Sequence, residues 1–292
     1  MSEANTSIDL NALSLTTVRL NLVSQEPEHQ LPSATGFFCK ANSDVYLVTN
    51  HHVVSGKECP SGRLLDYEFG RVPGKLEFDV WIGDLSGNLI DTGVSSTRAT
   101  KYSFSLQLYA DGLPTWIEHP SLGSDSDVVA IKLTDDILWA NLHPGVRALG
   151  MNLIGQIGSM VYFDLSDANN FPRPAVTDQV FIVGYPLLAS ESITRFPIYK
   201  AGSVASEPAD PLDPRFYVDA KSKPGMSGSP VVMSDHVAAL TNGLDGGELK
   251  QTTKLLGVYS GRSEERKYEY EAELGLVWPI QRYLLPILYP PA

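Results

Sequence analysis

The sequence predicts an all-β protein, built as a sandwich or as closed barrels. Two observations lead there. Short apolar runs rich in Val, Ile, Tyr and Phe recur along the chain, each bounded by Gly, Pro, Asn, Asp or Ser, the pattern of half-buried strands joined by turns. Helical periodicity is scarce, which excludes the alternating strand–helix units of a parallel α/β sheet. The 24 glycines and 20 prolines among 292 residues make about 15%, below the roughly 25–30% of low-complexity chains. With 43% hydrophobic residues, one large β domain or two smaller ones can each bury a core.

In chain order, the expected strands include Leu15–Val23, Thr35–Cys39, Val45–Thr49, Leu76–Ile82, Tyr102–Tyr109 and Val128–Leu133, then Val180–Val183, Phe216–Val218, Val231–Met233 and Leu255–Ser260. One helix is expected at the C-terminus. Pro279 suits its first position, and Ile280, Leu284 and Leu288 follow at four-residue spacing, with Pro286 set to kink or end it. Ser55–Leu64, Ser166–Pro174 and Ser206–Pro214 read as loops, and Ser263–Lys267 as a solvated hairpin tip. No internal repeat is visible.

Charge and composition exclude several functions. The net charge of −12 repels phosphate backbones and anionic lipid, so neither nucleic acid nor a membrane is an expected partner. No apolar stretch approaches the ~18 residues that span a bilayer. The start, Met1-Ser2-Glu3-Ala4-Asn5, lacks the basic and apolar segments of a secretory signal, and a cytoplasmic location is the expectation. Cys39 and Cys59 are the two cysteines. They cannot form a disulfide framework, although one bridge is conceivable in an exported protein. They flank His51-His52, but neither C-x-x-C nor H-E-x-x-H spacing occurs, so no metal site and no cofactor are expected.

Three local patterns carry chemistry, and their order matters more than any one of them. A histidine follows an apolar run in Leu47-Val48-Thr49-Asn50-His51-His52-Val53-Val54. An aspartate precedes another in Ser126-Asp127-Val128-Val129-Ala130-Ile131. A serine occupies a glycine-rich bend in Pro224-Gly225-Met226-Ser227-Gly228-Ser229-Pro230. A serine hydroxyl needs an imidazole to take its proton, and the imidazole needs a buried carboxylate to fix its tautomer. Glycines beside the serine permit a tight turn that aims backbone N–H groups at one point. An α/β-hydrolase is excluded, because its G-x-S-x-G elbow would need glycine at Ser229 and its order is Ser, acid, His. His51 competes with His52 for the base role, and Asp125, Asp135 and Asp136 compete with Asp127. Asp125 and Asp127 do not make a calcium loop, since the required glycine and later glutamate are missing.

Taken in order, these residues resemble the trypsin/chymotrypsin-like serine peptidases, especially bacterial trypsin-like domains and HtrA-type relatives. Thr49 to Val54 is similar to the family's Thr-Asn-x-His-Val-Val signature, which favours His52. The stretch from Asp127 is similar to Asp-Ile-Ala-Leu, and Gly225 to Pro230 to Gly-x-Ser-Gly-Gly/Ser-Pro. Trp116–Pro120, Val183–Pro186 and Val218-Asp219-Ala220 also resemble bacterial members, and the likeness runs from about Ser33 to Tyr283. The resemblance implies two six-stranded antiparallel β-barrels, residues 1–145 with His52 and Asp127, and residues 146–292 with Ser227 and a short C-terminal helix. It further implies an oxyanion hole from the N–H groups of Gly225 and Ser227. An extended peptide substrate would pair along Val258–Gly261, with Tyr259, Ser260 and Gly261 among its contacts. Gly275, Lys221 and Ser222 would belong to the specificity pocket, Gly275 keeping it open.

The chain departs from the pattern at three places. Met226 stands where digestive members carry an aspartate that pairs with a new N-terminus. Lys221 stands where an aspartate selects basic side chains, which argues against tryptic specificity. The span from His52 to Asp127 is long, and implies an elaborated loop region across 56–123. The expectation is a serine endopeptidase acting on a protein or peptide substrate. The alternatives are a catalytically silent peptide-binding module and a peptidase awaiting an activating protein partner.

Overall fold

The computed structural model describes residues 12–25, 27–82, 100–134, 163–166, 171–187, 196–237, 250–262 and 274–291. The expected tip at 263–267 and the rival carboxylates Asp135 and Asp136 lie outside them.

The first lobe opens with a helical turn, α1 (Ala12–Thr16), so the expected first strand begins two residues late, as β1 (Thr17–Ser24). β2 (Gln30–Ala41), β3 (Asp44–Thr49), β4 (Pro73–Ile82), β5 (Thr100–Gln107) and β8 (Val129–Leu133) complete an antiparallel path in the order β5-β4-β1-β2-β3-β8. This lobe is a half-barrel rather than a closed six-stranded barrel, for β5 and β8 do not pair with each other among the described residues. A seventh strand, β9 (Phe163–Asp164), runs parallel to β2 at Cys39 and Lys40. The reason is length: β2 pairs with β1 only up to Phe37 and leaves its far edge open to a further strand.

The elaborated region between His52 and Asp127 is built mainly from the β4–β5 hairpin, whose register runs from Lys75 opposite Gln107 to Ile82 opposite Thr100. A small ribbon of β6 (Tyr109–Ala110) and β7 (Leu113–Pro114) follows.

The second lobe is a closed barrel of β10 (Gln179–Gly184), β11 (Ile198–Val204), β12 (Phe216–Asp219), β15 (Leu274–Pro279), β14 (Lys250–Arg262) and β13 (Pro230–Val237), in that order. The C-terminal helix is split into α3 (Ile280–Tyr283) and α4 (Leu285–Leu288). Pro279 caps α3 from outside it, and Pro286 sits in the first turn of α4, where its missing N–H costs nothing.

Three buried clusters hold these parts. One fills the first lobe around Leu20, Phe38, Leu47, Leu76 and Phe78. Another fills the second barrel around Ile182, Phe216, Met226, Tyr259 and Val277. The third joins the lobes, setting Phe37, Val48 and Ala130 of the first against Val183, Val232 and Trp278 of the second, with Tyr283 and Leu288 of the C-terminal helices. Phe37 is fully buried there, edge-on to Phe163 with ring centroids 5.6 Å apart. Truncating Phe37 leaves a cavity at the joint, and Phe37→Ala is expected to destabilise the protein by about 3–5 kcal/mol. Urea unfolding checks this, as a lower midpoint with an unchanged slope.

Candidate active site

His52 lies in α2 (His51–Ser55), one helical turn between Asn50 and Gly56, whose φ of +68° ends the helix in the left-handed region. The turn places both polar groups of His52 against one carboxylate. Its backbone N–H donates to Asp127 Oδ1 at 2.9 Å, and its Nδ1 lies 2.7 Å from Asp127 Oδ2. A third donor, Ser260 Oγ of β14, also reaches Asp127 Oδ2. Asp127 is 2% exposed, and three donors answer the cost of burying its charge. Asn50 Nδ2 donates to the Asp127 carbonyl at 2.7 Å and pins the backbone beside it.

A carboxylate only accepts, so Nδ1 of His52 carries a proton and Nε2 of the neutral ring is left as a base. Burial disfavours the imidazolium, but the charge and hydrogen bond of Asp127 outweigh it, and the His52 pKa stands above its ordinary value. His51 faces elsewhere. Its Nδ1 meets Ser55 Oγ at 3.3 Å, its Nε2 meets Glu118 at 3.4 Å, and its ring packs edge-on to Trp116. Burial holds its pKa below the ordinary value despite Glu118. His51 thus ties α2 to the Trp116–Pro120 segment and makes no bond to Asp127.

Ser227 lies in a bend fixed from three sides. The Leu187 N–H holds the Pro224 carbonyl at 2.8 Å. Carbonyl and N–H of one trans peptide point in opposite directions, so this bond turns the Gly225 N–H away from Leu187. Thr35 supplies the second hold. Its N–H donates to the Ser227 carbonyl at 2.8 Å, and its hydroxyl donates to the Gly225 carbonyl at 2.8 Å while accepting the Tyr185 N–H at 3.0 Å. The Gly228 N–H, bonded to the Tyr259 carbonyl at 2.8 Å, supplies the third.

The glycines are required here. At Gly228, with φ +84°, an added Cβ would stand 2.0 Å from the Thr35 carbonyl oxygen, and at Gly225, with φ +93°, 2.5 Å from that of Tyr185. Among the described residues, neither the Gly225 nor the Ser227 N–H donates to a protein acceptor. Met226 between them is fully buried in the barrel core.

Asp127 and Ser227 converge on adjacent residues of β14. Ser260 binds the Asp127 carboxylate, and a Cβ on Gly261 would stand 3.7 Å from Ser227 Oγ. The positions expected to contact substrate divide. Val258 pairs with both Pro230 and Trp278, so it offers no free edge, and only at Ser260 and Gly261 does the β14–β15 register shift. Ser260 turns its hydroxyl to Asp127 rather than outward. Tyr259 is fully buried and Ser222 nearly so, their hydroxyls bonded to each other, and Lys221 is exposed. Gly275 does not keep a space open, because the Tyr259 ring lies against it. Thr35 and Ser260 were not expected in these roles. No sequence signal marks either one, since both act across the two lobes.

A closed antiparallel barrel joined to an antiparallel half-barrel through one buried seam, with a short C-terminal helix, defines the trypsin-like double-barrel fold. Residues 34–238 match the family described as trypsin-like peptidase domain, and the chain belongs to that family. No curated protein matches the sequence. Among solved structures, the chain is similar to the active form of the Rv3671c protease of M. tuberculosis at 15% identity, with 96% of this chain and 84% of that one covered and a TM-score of 0.41. It is also similar to the thermostable serine protease AL20 from an extremophilic microorganism, at 12% identity, 92% and 93% coverage and a TM-score of 0.47. The protease Anisep from Arthrobacter nicotinovorans is similar at 10% identity, 91% and 90% coverage and a TM-score of 0.46. No helix of the described residues is long and apolar enough to cross a membrane.

Two outcomes test the geometry. Thr35→Val strips a hydroxyl that serves two buried backbone groups, and the expected cost is about 2–6 kcal/mol at one to three per orphaned group, read by chemical unfolding. Asp127→Asn removes the charge that raises the His52 pKa, so the imidazole midpoint, followed by NMR, should fall. The sign extends to stability. The raised value means the protonated pair stabilises fully below the unfolded histidine value of about 6.5 and loses that contribution as pH rises through the folded value. That loss should shrink in Asp127→Asn.

Proposed function

We propose that the protein is a serine endopeptidase with Ser227 as nucleophile, His52 as base and acid, and Asp127 as the group that orients His52. The carrying observation is the 2.7 Å contact of His52 Nδ1 with Asp127, which leaves the other ring nitrogen to act as the base. In the first step Ser227 Oγ bonds to the scissile carbonyl carbon while its proton passes to His52 Nε2. The carbonyl oxygen becomes an oxyanion, received by the Gly225 and Ser227 N–H groups that have no protein acceptor. His52 then gives the proton to the leaving amine as the C–N bond breaks, and water releases the acyl group by the same steps in reverse order of roles. No cofactor enters. The peptide would lie as an extended strand beside Ser260 and Gly261, and exposed Lys221 supplies no anion for a basic side chain, which supports non-tryptic specificity.

A peptidase that waits for a partner to set its oxyanion loop is less well supported, because Leu187, Thr35 and Tyr259 already hold that loop. A reducing, cytoplasmic setting fits two free thiols, Cys39 buried and Cys59 half-buried.

A fluorophosphonate probe should label the purified protein without any added partner, and Ser227→Ala should abolish labelling and lower peptide hydrolysis by on the order of 10⁴-fold or more. Labelling that survives Ser227→Ala would overturn the assignment. Because the base must be unprotonated to act, kcat/KM should rise with pH through the His52 titration, with its acid limb above that of free histidine.

A further inference from the structure

Beside Gly275, where the resemblance to trypsin-like peptidases implies the specificity pocket, the barrel contains an aromatic ring. Tyr259 is fully buried in the second barrel core, in the same cluster as Met226, the residue before Ser227. Its hydroxyl is hydrogen-bonded to that of Ser222, itself 2% exposed. A Cβ placed on Gly275 would stand 2.2 Å from Cε2 of the Tyr259 ring and 2.9 Å from its hydroxyl oxygen. The ring therefore occupies the volume beside Gly275, and glycine there makes room for Tyr259 rather than for a ligand. Tyr259 is anchored to the serine bend, its carbonyl accepting the Gly228 N–H at 2.8 Å and its N–H donating to the Ser229 carbonyl at 2.9 Å. Arg262, further along β14, is in register with Gly275.

We infer that Tyr259 is the specificity-determining residue of this site, and that it restricts the residue on the acyl side of the cleaved bond to Gly, Ala or Ser. This rests on the serine-peptidase reading above. A larger side chain would have to expel a buried ring from close packing and separate two buried hydroxyls that satisfy each other, whereas a hydrogen, methyl or hydroxymethyl group needs no such space. Closely packed interiors do not yield to one extra group without cost. Because even one methylene changes pocket selectivity by about 10–200-fold, displacing the whole ring should give on the order of 10²-fold or more against Leu, Phe, Lys and Glu.

The test starts with fluorophosphonate labelling of the wild type, then compares kcat/KM on fluorogenic peptides that differ only at the acyl-side residue: Gly, Ala, Ser, Val, Leu, Phe, Lys and Glu. A labelled protein that prefers Gly, Ala and Ser bears the inference out. One that cleaves equally well after Leu, Phe, Lys or Glu overturns it and leaves the peptidase reading intact, whereas absence of labelling overturns both. Two variants add the cause. Tyr259→Phe keeps the ring and should keep the preference, while Tyr259→Val should raise the Leu-to-Ala or Phe-to-Ala ratio at least tenfold. Since Tyr259→Val empties part of a core, the wild-type profile stands as the test without it.

Discussion

The carboxylate of Asp127 is the constraint around which the two lobes are arranged. A buried ionised carboxylate without donors would cost several kcal/mol, and this one is 2% exposed. Its donors come from both lobes: two groups of His52 in α2 and the hydroxyl of Ser260 in β14. Neither lobe can satisfy it alone. The lobes must close on each other to complete its hydrogen bonds, and Ser260, which closes them, stands beside Gly261, the residue packed against Ser227 within the second barrel. The cost of an unmet charge thereby helps to align His52 with the serine bend.

Thr35 answers a second demand of the same kind. The bend around Ser227 exposes backbone groups that no strand ladder can use. Thr35 reaches from β2 in the first lobe and satisfies two carbonyls and one N–H, at Ser227, Gly225 and Tyr185. Thr49 Oγ1 in turn donates to the Thr35 carbonyl at 2.8 Å, and Thr49 is two residues before His51. The strand that delivers the histidine and the bend that carries the serine are thus joined through a single threonine.

Local chemistry was readable in the sequence, and contacts between distant segments were not. His52, Asp127 and Ser227 could be picked out because each lies in a short box with its own turn or strand signal. Most strands were visible for the same reason. β11 was not, because Ala201 and Gly202 interrupt it and its burial does not alternate. β15, Leu274–Pro279, was not read as a strand, because Pro279 ends it and leads straight into the helix. β9 has two residues and is a strand only because β2 outruns β1. The task of Ser260 falls at a register shift between β14 and β15, which no local pattern encodes, and that of Tyr259 depends on which residues its ring meets across the barrel. Gly275 was misread for a related reason. A glycine lining an open pocket and a glycine accommodating a neighbouring ring look the same until the neighbour is placed.

Met226 links the serine bend to the barrel core. Where relatives set the loop with an ion pair, this chain buries an uncharged thioether. Replacing a buried ion pair by packed apolar groups is often neutral or stabilising by about 1–4 kcal/mol, and Met226 gives this bend apolar packing in the core. Met226 shares its cluster with Tyr259, and the Tyr259 backbone also bonds Gly228 and Ser229 at 2.8 and 2.9 Å. The residue that fills the space beside Gly275 is therefore also one that supports the bend. Shrinking Tyr259 removes packing from the cluster that also holds Met226. The ring beside Gly275 and the hold on the serine bend thus draw on one packed core, so the selectivity proposed for that ring is not separable from support of the bend.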